Sequence, residues 1–132
     1  MNLTEQFGHA VYLFSLSDRH RHLTVADLDR SLVPALTLGQ TMLLWDEGRV
    51  VAFSSWAWMS DEASERFLTG AAIRKEDWRS GENLWVIDAV APFGHITKIA
   101  RLYRDTFKPG KARWLRTKDG RKVEHYVKAL AS

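Results

Sequence analysis

The most constraining feature of this chain is an apolar segment at residues 85–94, WVIDAVAPFG, which carries one carboxylate in its middle. A short apolar run that ends in Pro and Gly is typical of a buried β-strand, so a strand is predicted over residues 84–91. Burying a lone Asp is costly unless the carboxylate is paired or used in chemistry. Asp88 is therefore a candidate site residue.

Composition limits the class of protein. The chain has 132 residues, enough for one domain over 1–132, with 45% hydrophobic and 27% charged residues, as in ordinary globular proteins. It contains no cysteine, which excludes disulfides, a thiolate nucleophile and a Cys-based zinc site. The N-terminal residues lack the pattern of a secretory signal, and no apolar run is long enough to span a bilayer. We therefore expect a cytoplasmic protein without a membrane span.

Charge is distributed unevenly along the chain. Residues 1–97 hold 8 Lys/Arg and 13 Asp/Glu, a net charge of −5, whereas residues 98–132 hold 11 Lys/Arg and 3 Asp/Glu, a net charge of +8. A basic segment of this kind is either an ordinary solvated surface or a docking surface for an acidic partner. Nucleic acid is one partner of that type, and an acidic carrier protein is another.

The pattern of apolar residues and turn signals predicts a mixed fold. Helical spacing predicts helices over residues 3–16, after Thr24 (divided or kinked at Pro34), over 61–72 and over 95–107. Two hairpins are predicted, 41–46 with 49–56 around Glu47-Gly48, and 112–117 with 121–127 around Asp119-Gly120. This order predicts an α+β fold in which helices pack on a mostly antiparallel mixed sheet.

A second polar group, SDRHR at residues 17–21, directly follows the first helix. A serine, a histidine and a buried aspartate favour acid–base or nucleophilic chemistry on an imidazole. Ser17 and His20 share one face if the chain turns helically between them. The residues alone leave an alternative open for each: an N-cap or turn serine, an exposed histidine, and a carboxylate that caps a backbone turn or pairs with an arginine. No third ligand stands near His20 and His22, so no metal site is predicted.

These motifs, taken together, resemble the RTX toxin-activating lysine acyltransferases. The matching segments are SDRHR at 17–21, VPAL at 33–36, VAFSSWA at 51–57, EDWRSG at 76–81 and WVIDAVAPFG at 85–94. They occur in the order found in that family. The chain departs from the family pattern in being shorter at its C-terminal end, in having charged residues between Ser17 and His20, and in matching only loosely over its last third.

The resemblance implies a fold similar to the Gcn5-related N-acetyltransferases and a fatty acyl chain delivered by acyl carrier protein, with no bound cofactor. It implies an acceptor lysine inside a protoxin, or inside another protein or peptide given the departures above, and a possible homodimer. His20 and Asp88 correspond to the catalytic pair of the family, and Ser17 to a third important polar residue.

Acyl transfer to lysine requires a neutral amine, which at pH 7 costs roughly 4.6 kcal/mol because free lysine has a pKa near 10.4. General base assistance is worth about 10²–10⁴-fold. We assign the role of base to His20 and its orientation to Asp88, and an acyl-histidine intermediate remains an alternative.

The chain lacks the glycine-rich loop that holds the coenzyme A pyrophosphate, in agreement with a carrier-protein donor. Because acyl carrier proteins are acidic, the basic residues of the C-terminal third are candidates for docking one. They are Arg101, Arg104, Lys108, Lys111, Arg113 and Arg116. Two alternative functions stay open, a non-catalytic basic module that binds nucleic acid or protein, and a coenzyme A-dependent acetyltransferase.

Overall fold

The structure is a computed structural model that describes residues 1–107, 111–118 and 121–126, with backbone only from residue 116 onward. Its helices are α1 (Leu3–Ser15), α2 (Val25–Ser31), α3 (Val33–Thr37), α4 (Asp61–Leu68) and α5 (Ile96–Thr106), with a 3₁₀ turn at Lys75–Asp77. Its strands are β1 (Thr41–Asp46), β2 (Arg49–Met59), β3 (Asn83–Val90), β4 (Arg113–Lys118) and β5 (Arg121–Tyr126). No helix within these described ranges has the length and apolar character needed to cross a bilayer.

Short-range hydrogen bonds explain where the helices begin. Thr24 and Asp27 form a capping box, since the Asp27 N–H donates to Thr24 Oγ1 and the Thr24 N–H donates to Asp27 Oδ2. Ser60 Oγ caps α4 by accepting from an N–H of its first turn. Pro34 lies in the first turn of α3 and separates it from α2, as predicted. Helix α4 ends at Leu68, four residues before the predicted end, and Gly70 follows with a φ of 93°.

The five strands form one sheet in the order β1-β2-β3-β4-β5. Only β3 and β4 run parallel, and the other pairs are antiparallel, which confirms the predicted α+β fold with a mostly antiparallel mixed sheet. Glu47 and Gly48 both have positive φ, 50° and 79°, which is the backbone of a tight two-residue hairpin turn. The turn predicted at residues 119–120 lies outside the described residues.

Helices cover both faces of the sheet. Helices α1 to α4 pack on one face, where Phe14 meets Phe53 and Val90, and where Trp85 meets Ala57. Helix α5 packs on the opposite face. The residues of that second core include Ala52, Leu84, Val86, Ile99 and Tyr103. Burial of these apolar faces is the main force that fixes the layers, and it determines on which side of β3 each side chain lies.

Strand β3 contains a β-bulge beside Asp88. Ser55 is opposite Asp88 and the next residue of β2, Trp56, is opposite Val86, so Ile87 has no partner on β2. Ile87 packs with Trp85 on the α1–α4 face, and strict alternation after it would send Asp88 to the α5 face. Because Ile87 is an extra residue without a partner on β2, the alternation is shifted by one position at the bulge, and the side chain after it is re-aimed. Asp88 therefore shares the α1–α4 face.

Candidate active site

The segment after α1 folds into a tight turn that brings Ser17 and His20 together. The backbone N–H groups of His20 and Arg21 both donate to the Ser17 carbonyl, at 3.0 and 2.9 Å. Ser17 Oγ then lies 2.7 Å from Nδ1 of His20. The chain thus turns helically between Ser17 and His20, which is the condition under which the sequence puts both side chains on one face.

Asp88 meets His20 from the middle of β3. Its Oδ1 lies 2.8 Å from Nε2 of His20, across 68 positions of sequence. The two side chains are 12% (His20) and 18% (Asp88) exposed, so the pair is shielded from water but open on one side. Of the alternatives left open by the sequence, the arginine partner for Asp88 is wrong, because the carboxylate pairs with an imidazole.

The His20 ring is held in place by an aromatic neighbour. It stacks on Phe14 of α1 with ring centroids 4.8 Å apart and planes inclined by 23°. Phe14 is itself buried and meets Phe53 of β2 edge-on at 5.7 Å. The stack on one flat side and the hydrogen bonds on both nitrogens leave the imidazole little freedom to rotate. Its orientation is thus set before any substrate binds.

Both ring nitrogens of His20 are engaged, and this decides which of them can accept a proton. An ionised carboxylate is an acceptor only, so the neutral ring presents Nε2–H to Asp88. Nδ1 is then left with the lone pair, and it faces the Ser17 hydroxyl, an assignment that follows from the hydrogen-bonding pattern. Ser17, His20 and Asp88 thus form a hydroxyl–imidazole–carboxylate series of the kind that activates nucleophiles or moves protons.

A cavity of about 580 Å³ opens beside this series. Arg19, His20 and Asp88 line the cavity, whereas Ser17 does not. Much of the remaining wall is apolar: Phe67, Ile87, Ile96, Trp114 and Leu115. The cavity lies where β3 and β4 separate, since these parallel strands pair at a single position, Trp85 with Arg113.

The family model for HlyC, described as the RTX toxin acyltransferase family, matches residues 1–129 of this chain. The chain belongs to the RTX toxin acyltransferase family. The resemblance noted from the sequence motifs is thereby confirmed.

Curated relatives agree with this assignment. The chain is 32% identical over 101 residues to the RTX-II toxin-activating lysine-acyltransferase ApxIIC of Actinobacillus pleuropneumoniae, covering 76% of this chain and 63% of the relative. It is 35% identical over 107 residues to the leukotoxin-activating lysine-acyltransferase LtxC of Aggregatibacter actinomycetemcomitans, covering 80% and 64%. It is 28% identical over 121 residues to the protein-lysine myristoyltransferase RtxC of Kingella kingae, covering 91% and 72%. The matched region thus spans a little under two thirds of the length of the first two relatives.

The basic residues predicted to dock a carrier protein differ in their exposure and in their partners. Arg101 and Lys111 are exposed, and Arg104 bonds the exposed Asp105. Arg113 is half-buried: its guanidinium lies 5.5 Å from the centroid of the Trp85 ring and donates to Asn83. Lys108 and the side chain of Arg116 lie outside the described residues.

Within the described part of the chain no three His, Asp or Glu side chains come together in a way that would hold a metal ion. Three buried hydroxyl residues beside Asp88 were not predicted from the sequence: Ser54 and Ser55, which bond the Asp88 backbone, and Tyr103, which bonds both serines. The available signal was the Ser54-Ser55 pair inside an otherwise apolar strand, since buried hydroxyls need partners.

Proposed function

We propose that this protein is a protein-lysine fatty acyltransferase that moves an acyl chain from acyl carrier protein to the ε-amine of an internal lysine in a protoxin or another protein or peptide. The observation that carries the proposal is the hydrogen-bonded series Ser17–His20–Asp88, of which His20 and Asp88 line a cavity that also has apolar side chains in its wall. Membership of the RTX toxin acyltransferase family supports the same reaction. Relatives named as lysine acyltransferases extend that support.

In the proposed reaction the lysine nitrogen attacks the thioester carbon, and a C–N bond replaces the C–S bond. His20 is the base and receives the proton at Nδ1. Because Ser17 Oγ lies 2.7 Å from that nitrogen, the Ser17 hydroxyl passes its own proton to His20 while it takes one from the attacking amine. Asp88 stabilises the imidazolium so formed. The imidazolium then returns a proton to the departing thiolate, which leaves as a thiol.

The cavity suits a fatty acyl chain. Its volume of about 580 Å³ is in the range of small-molecule pockets, about 300–1,000 Å³. We infer that the thioester arm enters between the separating strands β3 and β4, with the acyl chain against Phe67, Ile87 and Leu115. A parallel pair that opens in this way supports a relationship of this fold to the Gcn5-related N-acetyltransferases. We also propose that the exposed cations Arg101 and Lys111 contact the acidic carrier protein in the cytoplasm.

The decisive experiment is intact-mass detection of acyl transfer. The protein is incubated with palmitoyl- or myristoyl-carrier protein and with candidate acceptor proteins encoded beside it, and the acceptor mass is measured. His20→Ala is expected to abolish transfer, whereas His22→Ala, an exposed histidine two positions away, keeps the wild-type rate. Full transfer by the His20→Ala variant would overturn the assigned base.

The same assay discriminates the donor. Replacing the carrier protein with palmitoyl- or acetyl-coenzyme A is expected to reduce the rate strongly, because no glycine-rich pyrophosphate loop is present in the sequence. Equal rates from both donors would favour a coenzyme A-dependent enzyme. If no donor supports transfer and the protein instead binds duplex DNA with a steep dependence on salt, the proposed enzyme is wrong.

A further inference from the structure

Three hydroxyl groups bind the backbone at the bulge that aims Asp88. Ser55 Oγ accepts from the Asp88 N–H at 3.2 Å, and Ser54 Oγ donates to the Asp88 carbonyl at 2.6 Å. The Tyr103 hydroxyl donates to the Ser55 carbonyl at 3.1 Å and lies 2.7 Å from Ser54 Oγ. Ser54 and Ser55 are 0% exposed and Tyr103 is 1% exposed. The backbone of Asp88 is therefore held by side chains on both of its polar groups.

The bulge creates the need for these bonds. An extra residue on one strand disrupts the ladder of backbone hydrogen bonds next to it, and buried backbone groups without partners are destabilising. The hydroxyls of Ser54 and Ser55 supply those partners at Asp88. Without them, the strand would relax toward regular alternation, and that would turn Asp88 toward the α5 face.

Ser54 connects Tyr103 to Asp88 through two successive hydrogen bonds. The single hydroxyl proton of Ser54 goes to the Asp88 carbonyl, so in its contact with Tyr103 the Ser54 oxygen is the acceptor. The Tyr103 proton is then shared between Ser54 Oγ and the Ser55 carbonyl. Burial, and secondarily the nearby Asp88 charge, raise the pKa of Tyr103 well above its ordinary value, so that the hydroxyl remains a donor.

Packing fixes the Tyr103 ring independently of its hydroxyl. Trp56 meets it edge-on with centroids 6.0 Å apart, and Phe107 stacks on it at 5.9 Å. A phenylalanine at position 103 retains these contacts and removes only the donor. The hydroxyl can therefore be tested separately from the core.

We propose that Tyr103 is a positioning residue for the reaction: from the α5 face it locks the bulge through Ser54 and Ser55, and it thereby aims the Asp88 carboxylate at His20 on the opposite face. It touches neither substrate nor the imidazole. The prediction for activity rests on the proposed function, whereas the prediction for the His20 ring does not, and the two can fail separately.

The test compares Tyr103→Phe with Tyr12→Phe, a matched control at a half-exposed tyrosine of α1. In ¹⁵N NMR of the His20 ring, the wild-type pattern of a hydrogen-bonded Nε2–H is expected to be lost or averaged in Tyr103→Phe and kept in Tyr12→Phe. In the acylation assay, kcat is expected to fall about 10- to 100-fold in Tyr103→Phe with KM for the acyl-carrier protein unchanged, as for a misplaced catalytic group.

A folded Tyr103→Phe variant with the wild-type His20 ring spectrum would overturn the proposal, whatever its activity. If the wild-type protein transfers no acyl group, the proposed function fails while the ring spectrum still decides the role of Tyr103. Should Tyr103→Phe fail to fold, Ser54→Ala removes the next link in the same chain. It is expected to change the His20 spectrum in the same way, and an unchanged spectrum in that variant would equally refute the proposal.

Discussion

Ile87 and Asp88 are neighbours on β3, yet both side chains lie on the α1–α4 face of the sheet, because β2 offers Ile87 no partner. This departure from alternation lets a strand residue contact a ring on the segment after α1. Ile87 at the same time turns toward the cavity that Asp88 borders. One bulge thus supplies a carboxylate and an apolar wall to the same site.

Replacing Asp88 by Asn tests the charge of the pair without changing its shape. The amide that replaces the carboxylate can donate to Nε2, which would place the ring proton on Nδ1, the wrong tautomer. It also carries no charge to stabilise the imidazolium. Acyl transfer is expected to fall by about 10³–10⁴-fold, measured as kcat/KM with acyl-carrier protein. Asp105→Asn, at an exposed position of α5, is the matched control and should retain the wild-type rate.

Removing the Ser17 hydroxyl tests the proton relay. Ser17→Ala leaves Nδ1 of His20 without its neighbour at 2.7 Å, and kcat is expected to fall about 10²-fold. Ser15→Ala is the control, since the Ser15 hydroxyl bonds only within α1, to the Tyr12 carbonyl, at an exposed position. A wild-type rate in Ser17→Ala would mean that His20 takes the proton directly from the amine.

Filling the cavity tests its role in holding the acyl chain. Leu115→Trp adds volume to a lining residue, and the preference for donors is expected to shift toward shorter chains. A ratio change of at least about tenfold between C16 and C8 donors is expected, since single methylenes in apolar pockets are worth 10-fold or more. The control is Leu102→Trp, on the exposed side of α5, which should leave the ratio unchanged. An unchanged ratio in Leu115→Trp would mean that the acyl chain binds outside this cavity.

The ion pair between Arg66 and Asp77 gives a pH-dependent prediction for stability. Burial would raise the pKa of the Asp77 carboxyl, but hydrogen bonds from Arg66 and the Arg74 N–H, together with their charges, lower it below its usual value. Asp77→Asn is expected to reduce the free energy of unfolding at pH 7 by about 2 kcal/mol.

Because the pKa of Asp77 is lower in the folded than in the unfolded protein, the stabilisation is fully present above the unfolded value, about 3.9. It is lost as the pH falls from there through the folded pKa. Urea unfolding of both proteins from pH 7 to pH 3 should therefore show the two free energies converging at low pH. Asp29→Asn, an exposed partner of Lys75 at 3.6 Å, should show a much smaller difference throughout.

Much of the fold follows from local signals. The capping box at Thr24, the break at Pro34 and the hairpin at Glu47-Gly48 depend on neighbours within a few residues, and all three are where the sequence predicts them. Helix α4 is shorter than its pattern suggests, because Gly70 adopts a φ of 93° and the N–H groups of Gly70 and Ala71 donate back to the carbonyls of Phe67 and Arg66.

The candidate site likewise combines a local contact, which the sequence indicates, with long-range contacts, which it does not. Ser17 and His20 are three positions apart, so a single turn brings them together and the sequence alone indicates it. Asp88 could be recognised as a buried carboxylate, but its pairing with His20 followed only from the family resemblance, since a strand read by alternation places Asp88 on either face. Ser54 and Ser55 are visible as hydroxyls inside an apolar strand, but their contacts with Tyr103 give no signal along the chain, because they form only when β2, β3 and α5 have packed.

The sequence by itself determined which elements form and which residue types are available for chemistry, because propensities, caps and apolar periodicity are properties of short stretches. Only the tertiary structure decided the face from which Asp88 projects. A one-residue bulge reverses that choice, and its position is selected by the packing of two strands and a helix around buried hydroxyl groups.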